Sequence, residues 1–218
     1  MKDETGSRIR KKALALFRKR GFERTTMREI AVAAKVSLGA AYYYFPSKDA
    51  LVLSYYEELQ AAHDAAAREA FHQAADLEGR VRAVLHAKLD VIEDDRALLG
   101  SIFRTSVDPS SELSVFAPKT DEVRHKAVAI FEEAIGDEPL PDDMRALLPK
   151  ALWLLHLGML FYFAHDTSPS QVRTRELVDG AARMLAPLIA VAALPQMTPM
   201  REELVRLVTR AFPPPQAS

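Results

Sequence analysis

Residues 25–48 read Thr25-Thr26-Met27-Arg28-Glu29-Ile30-Ala31-Val32-Ala33-Ala34-Lys35-Val36-Ser37-Leu38-Gly39-Ala40-Ala41-Tyr42-Tyr43-Tyr44-Phe45-Pro46-Ser47-Lys48, and the punctuation of this stretch decides the fold. Thr26 with Glu29 forms a capping box that opens a short helix running through Ala34. Ser37 can cap a second helix, Leu38–Tyr44. Pro46 breaks it, and Ser47 caps a longer helix reaching about residue 74. Two short helices joined by a three- or four-residue turn make a helix-turn-helix, whose second helix can enter a major groove. The preceding segment, 5–20, carries Ile9, Ala13, Leu16 and Phe17 on one helical stripe, and Gly21 supplies the left-handed cap that ends it.

Working outward, Ile30, Ala31, Ala34, Val36, Ala41 and Phe45 are spaced to share a small core with Leu16 and Phe17. Arg28, Leu38, Gly39, Tyr42, Tyr43, Tyr44 and Lys48 are left to face outward, and each has a use at a duplex. Gly39 lacks a β-carbon, so its backbone can approach a phosphate or base edge. Tyr42 and Tyr44 offer hydroxyl donors to phosphate oxygens and rings to thymine methyls. Lys48 lies in the first turn of its helix, where backbone N–H groups already favour a phosphate. Thr26 can offer its hydroxyl to another phosphate, and Arg28 is the candidate for a bidentate guanine contact. Ser37 and Thr26 also have a plain reading as caps. Three consecutive tyrosines cannot all be buried in a helix, because neighbours point about 100° apart.

The chain has 218 residues, 49% hydrophobic and 27% charged, a composition that supports a sizeable core and excludes wholesale disorder. With no cysteine, disulfide scaffolds, thiolate zinc sites, iron–sulfur clusters and cysteine nucleophiles are excluded. The net charge of −1 conceals an asymmetry. Residues 1–48 hold 12 Lys/Arg against 4 Asp/Glu, a net +8, and the rest of the chain carries −9. Such a split is a cue for polyanion binding by the basic part. The longest apolar run, 151–164, is 14 residues with His156 inside it, shorter than the roughly 20 a membrane span needs. With no signal-peptide pattern at the start, a cytoplasmic protein with no membrane partner is expected.

The remaining segments also read as helix: 76–95, Arg96–Val107, 119–135, 141–166, 169–193 and 199–212. Their breaks carry turn chemistry, such as Asp108-Pro109-Ser110-Ser111 and Thr167-Ser168-Pro169. Ser168 with Gln171 suggests a second capping box, and the tail Pro213-Pro214-Pro215 suggests a frayed end. The expected fold class is all-α, with about nine or ten helices. A basic helix-turn-helix domain spans 1–48 and a helical body for ligand binding and dimerisation spans 49–218.

Residues 5–52 resemble the DNA-binding head of the TetR (TetR/AcrR-type) transcriptional regulators. The family pattern is Gly-Phe after the first helix, a Thr-Thr-x-x-x-Ile-Ala helix, and a Gly-x-x-Tyr-x-[His/Tyr]-Phe-x-x-Lys recognition segment. Here these are Gly21-Phe22, Thr25-Thr26, Ile30-Ala31, Gly39, Tyr42, Tyr44, Phe45 and Lys48. The resemblance implies that Thr26, Arg28, Leu38, Gly39, Tyr42, Tyr43, Tyr44 and Lys48 meet DNA, and Ser37, at the start of the second helix, completes the candidate DNA-binding set. Position 44 is often His in the family and is Tyr here, and Ala40 and Ala41 offer no polar side chain. Base readout then falls mainly on Arg28, Leu38 and the aromatics.

The resemblance further implies a homodimer on a palindromic operator, a small-molecule effector, and repression as the usual mode. The last two long helices are the candidate dimer surface, through Ala151, Leu155, Gly158, Val178, Ala181, Leu185 and Leu188. Residues 153–163 are apolar all round, which predicts a helix buried on every side. Trp153, His156, Met159 and Tyr162 from that run, with Phe71, Leu89, Ile92, Leu99, Phe103, Phe116 and Phe131, are the candidate walls of an effector pocket. An apolar or aromatic effector, oriented by His156 and Tyr162, is expected. No cofactor and no metal are expected.

Two other readings compete with this one. Glu69-x-x-His72 and Glu122-x-x-His125 have the spacing used in helical di-metal carboxylate enzymes, but Glu93, Glu132 and Glu176 sit in polar stretches that do not complete such a site. Alternatively, the basic head is an interaction module without sequence preference, which predicts weak, salt-dependent DNA binding. No Gly-rich phosphate loop, Gly-x-Ser-x-Gly elbow or His-Glu-x-x-His motif is present, and an enzyme is not expected.

Overall fold

The computed structural model describes residues 2–211, apart from the side chains of residues 2, 3, 97, 101, 103, 104, 209 and 211. Phe212, the run Pro213-Pro214-Pro215 and the side chain of Phe103 therefore lie outside the described residues. Among the described residues there are ten α-helices and no strand. They are α1 (Lys2–Arg20), α2 (Met27–Ala33), α3 (Leu38–Tyr44), α4 (Lys48–Phe71), α5 (Leu77–Ile92), α6 (Arg96–Val107), α7 (Asp121–Ile135), α8 (Asp142–His165), α9 (Val172–Ala192) and α10 (Thr198–Ala211). The chain divides into two compact units, residues 1–63 with 90–126, and residues 64–89 with 127–218.

In the first unit, α1 buries Ile9, Ala13 and Phe17, one residue per turn, and Gly21 ends the helix at φ +85 with its N–H on the Phe17 carbonyl at 2.8 Å. The Thr26 capping box forms as expected. The Thr26 hydroxyl accepts from Glu29 N, and Glu29 Oε2 accepts from Thr26 N at 2.8 Å. Thr25, beside it, is buried and donates its hydroxyl to the Gly21 carbonyl. Lys35 then turns the chain at φ +54, and the Ser37 hydroxyl accepts from Ala40 N to start α3. Ser47 starts α4 in the same way, accepting from Ala50 N. Phe17, Ile30, Ala41 and Leu51 meet in one core, and fully burying a side chain the size of Phe17 contributes about 1.5–3 kcal/mol. Leu98 and Ile102 of α6 and Leu113 from the following loop belong to that same core.

In the second unit, α8 packs on α9 and α10. The expectation that α8 is buried all round is corrected. Leu152, Trp153, His156, Met159 and Phe163 form one buried face, whereas Leu154, Leu155, Phe161 and Tyr162 are exposed. With 100° between neighbours, a 24-residue helix with protein on one side must turn about half of an apolar run outward. The helix exceeds the apolar run that marks it in the sequence, and α8 has the length and apolarity of a membrane span. Its buried face is nevertheless occupied by its own unit.

The start of α9 also differs from expectation. Ser170 and Gln171 adopt left-handed conformations, so the Ser168–Gln171 box does not form. Asp166 does the capping. Its Oδ2 accepts from Thr174 N and Oγ1 at 2.9 and 2.7 Å, and its Oδ1 accepts from Ser168 N and Oγ. Arg201 of α10 closes the unit, donating to Asp143 at the start of α8 at 2.8 Å and to the Ala192 carbonyl at the end of α9 at 2.6 Å.

Candidate nucleic-acid interface

The seven residues of α3 divide between two jobs, and Ala41 sets the division. It is fully buried against the core, so the positions three before and three or four after it turn the same way. Leu38, Tyr44 and Phe45 accordingly pack as half-buried neighbours of that core. The opposite side of the helix presents Gly39, Tyr42 and Tyr43, with Tyr42 48% and Tyr43 68% exposed. Internal packing does not explain two rings of that size left open to water side by side.

Tyr44 is the expected outward residue that turns in. Its ring stands 5.4 Å from that of Tyr43, edge to face, and its Cδ1 lies 3.3 Å from the point a β-carbon on Gly6 would occupy. Leu38 is likewise corrected from a fully outward side chain to a half-buried one. Gly39 behaves oppositely. A β-carbon built there meets nothing within 4 Å, so neither packing nor backbone strain asks for glycine at this position.

Thr26, Arg28 and Ser37 are also exposed. Thr26 and Ser37 are the caps of α2 and α3, and both hydroxyl oxygens already accept a backbone N–H. Hydrogen bonds from Thr26, with Arg20 adding its charge, hold the Glu29 carboxyl below the usual carboxylate range. Lys48 is half-buried rather than extended into solvent. Its ammonium donates to the Phe22 carbonyl at 2.9 Å and lies 4.4 Å from the centre of the Phe22 ring. An ammonium seeks carbonyl oxygens and aromatic faces within reach of its stem, and the loop after α1 supplies both. Arg8 ties the same region together from α1, donating to the Ala34 carbonyl at 3.0 Å.

The other sequence-derived residues fall into separate groups. Phe71, Leu89, Phe131, Trp153, His156 and Met159 are buried in the second unit, where the Phe131 and His156 rings are 6.0 Å apart. Ile92 is buried and Leu99 half-buried in the first unit. Phe116 and Tyr162 are 54% and 40% exposed, which corrects both from interior walls to surface residues. Tyr162 lies on the outward stripe of α8 and Phe116 in the loop after α6.

Of the dimer candidates, Ala151, Leu155, Gly158 and Leu188 are exposed and Ala181 is half-buried. Val178 and Leu185 are buried in their own unit, because they share a face of α9 with buried Thr174 and Ala182. The outward stripe of α9 is instead Leu177, Met184, Leu188 and Val191. Of the Glu-x-x-His pairs, Glu122 is bonded to Lys126 and His125 to Asp121, while Glu69 and His72 are exposed, so neither pair faces an interior.

Sequence reasoning missed two polar features. Lys88 of α5 is buried, and that burial, partly offset by the charge of Asp64, lowers its ammonium to about 8. Asp95 bonds both Arg18 and Tyr55. These partners lie 77 and 40 residues from it, and no local pattern announces such a pairing.

Comparison with known proteins matches residues 9–55 to the family of bacterial regulatory proteins, tetR family. Residues 80–204 match the tetracyclin repressor-like C-terminal domain. An HTH-type transcriptional regulator of Bacillus subtilis, YuxN, is 55% identical over 42 residues, a stretch that spans 19% of this chain and 14% of that protein. A TetR transcriptional regulator from Nitrosomonas europaea superposes with a TM-score of 0.67 at 19% identity, over 83% of this chain and 97% of that one. AibR, solved with isovaleryl coenzyme A and operator DNA, superposes with a TM-score of 0.57 at 20% identity, over 81% of this chain and 97% of its own.

Proposed function

Because the chain belongs to the tetR family of bacterial regulatory proteins, we propose that it is a cytoplasmic, sequence-specific DNA-binding repressor that works as a homodimer and leaves its operator when a small molecule binds the second unit. The observation that carries the reading is the split of α3. Ala41 anchors the helix while Gly39, Tyr42 and Tyr43 stand outward, and Gly39 leaves room that the protein itself does not use. A backbone able to come close, flanked by two exposed phenols, suits a groove whose phosphates accept hydrogen bonds and whose thymines offer methyl groups. Arg28, exposed on α2, is the candidate to add a guanine contact. Thr26 and Ser37 hold the two helix starts, and Lys48 braces the loop after α1 and keeps a third N–H for a phosphate.

The outward stripes of α8 and α9 support two-fold pairing. Leu155, Gly158 and Ala151 on one, with Leu177, Met184, Leu188 and Val191 on the other, stand exposed, and apolar side chains lined up in water suit a partner surface. A dimer can place two α3 helices in successive major grooves about 34–36 Å apart and so read a palindrome. The buried aromatics Phe71, Phe131 and Trp153, with His156 and Met159, suit an apolar or aromatic effector. AibR, of like fold, was crystallised with isovaleryl coenzyme A, which makes that acyl thioester a reasonable first probe. Differential binding of DNA and effector to two conformers gives reciprocal coupling of typically about 1–3 kcal/mol. Repression needs no further parts, since a protein seated on promoter DNA blocks polymerase.

Footprinting on the DNA flanking the protein's own coding region tests the reading. A protected palindrome is expected. Binding that is uniform across sequences and vanishes with salt would favour the basic interaction module instead.

A further inference from the structure

One carboxylate in the first unit serves two helices at once. Asp95 ends the 3-10 turn Glu93–Asp95 that leads into α6. Its Oδ1 accepts from Arg18 Nε at 2.8 Å and also from Arg18 Nη2, and its Oδ2 accepts from the Tyr55 hydroxyl at 2.8 Å. Arg18 stands in the last turn of α1, and Tyr55 is a buried residue of α4. Burial first, and then the bond to Asp95, push the Tyr55 phenol well above its ordinary value, so it remains a donor at any working pH.

The helices joined here hold the recognition segment. α1 packs on α2 and on α6, and α2 packs on α3. The first residue of α4, Lys48, is bonded to the loop between α1 and α2. Leu98 and Ile102, on the helix that Asp95 introduces, lie in the same core as Phe17, Ile30 and Ala41.

We propose that Asp95 is a positioning residue for DNA recognition, setting the pose of the helix-turn-helix by bridging Arg18 of α1 to Tyr55 of α4. The inference rests on the reading of this unit as the DNA-binding head. None of the bonds described for Asp95 reaches α3, so its influence passes through α1 and α4. The sign of its charge makes the claim sharp. Replacing an aspartate by a neutral residue in a unit that approaches a polyanion would, by Coulomb's law alone, tighten binding to any duplex. A loss of specific affinity runs against that trend and reports on geometry.

The test uses the full chain, the footprinted palindrome and a scrambled duplex of equal length, with fluorescence anisotropy at fixed salt and thermal unfolding alongside. Asp95→Asn is expected to weaken binding to the palindrome by about 3- to 30-fold, while binding to the scrambled duplex stays equal or rises. Tyr55→Phe, which keeps the ring and removes only the hydroxyl, is expected to lose in the same direction by less. Combining Arg18→Met with Asp95→Asn is expected to cost little more than the larger single loss, since both remove one interaction. If both Asp95→Asn and Tyr55→Phe keep the wild-type ratio of palindromic to scrambled affinity, whatever happens to the melting temperature, Asp95 serves stability alone and the inference is overturned. Should Asp95→Asn not fold, Tyr55→Phe decides the matter. A wild-type chain with no preference for any palindrome overturns the regulator reading and this inference together, which separates the two failures.

Discussion

Gly39→Ala is the substitution for which stability and DNA binding are expected to move in opposite directions. In the free protein the added methyl group meets no heavy atom within 4 Å, and the backbone at Gly39 is ordinary right-handed helix. Folding therefore gains the difference in helix propensity and loses nothing to crowding. For an exposed helical site that difference is about 0.5–1 kcal/mol, and the first turn of a seven-residue helix puts it at the lower end. In the proposed complex the same methyl group would occupy the gap through which the backbone approaches the duplex. Forcing one extra carbon into a packed contact costs about 1–3 kcal/mol, and a two-fold dimer meets that cost at both half-sites. The expected outcome is a melting temperature equal to or slightly above wild type, with operator affinity lower by at least about thirtyfold, or 2 kcal/mol over two half-sites. Differential scanning calorimetry and anisotropy titration against the footprinted duplex measure the two sides. An alanine variant that binds the operator as tightly as wild type would refute the reasoning, because the α3 face would then not come close to DNA at all.

Neighbouring tyrosines should separate in the same pair of assays. Tyr43→Ala loses an edge contact with Tyr44 and gains helix propensity, so its stability is expected to stay within about 0.5 kcal/mol of wild type while operator binding weakens. Tyr44→Ala, which strips a half-buried ring from the core, is expected to cost about 2 kcal/mol of stability. Met184→Glu with Leu188→Glu places charges where α9 is 53% and 59% exposed, so the helix content by circular dichroism should hold while the dimer dissociates in sedimentation. Lys88→Met tests a buried charge through pH. The ammonium falls from 10.5 to about 8 on folding, so the folded state binds fewer protons between those values and its penalty is present in full below about pH 8. The variant should be more stable than wild type at pH 7, by up to about 3 kcal/mol, with the gap closing as pH climbs through 8 to 10.5; a gap that stays flat would show that Lys88 is not held at a cost.

Local signals in the chain were legible where one residue both marks and makes the feature. Thr26, Ser37 and Ser47 cap the helices they precede, Gly21 and Pro46 end the ones before them, and the all-α fold follows from such punctuation. Orientation about a helix axis was harder to read. In α8 every residue from 157 to 164 is apolar, so the sequence carries no contrast from which to choose an inward side, and nothing in it shows that Tyr162 faces away from the interior. α9 does have contrast, but its apolar stripe is wide enough to serve two neighbours, so the sequence alone does not separate Val178 and Leu185, which are core, from the exposed Leu177 and Leu188. At the start of α9 a good local motif lost to Asp166, whose carboxylate offers two charged acceptors where Ser168 offers one neutral hydroxyl.

The formal charge of the head, +8 over residues 1–48, also reads differently once partners are known. Arg10 is bonded to Glu58, Arg18 to Asp95 and Arg20 to Glu29, while Arg8 donates to the Ala34 carbonyl at the end of α2 and Lys48 to the Phe22 and Glu23 carbonyls of the loop after α1. A segment this basic would otherwise repel itself, and these bonds let it fold by turning cations into internal ties. The consequence for recognition is that much of the positive charge is fixed in place before any duplex arrives. The exposed side of α3 is uncharged, namely open space at Gly39 and two phenols at Tyr42 and Tyr43. In the proposed reading, charge in this head serves approach and rigidity, and discrimination between sequences would fall to shape, hydrogen bonding and the guanidinium of Arg28 on α2.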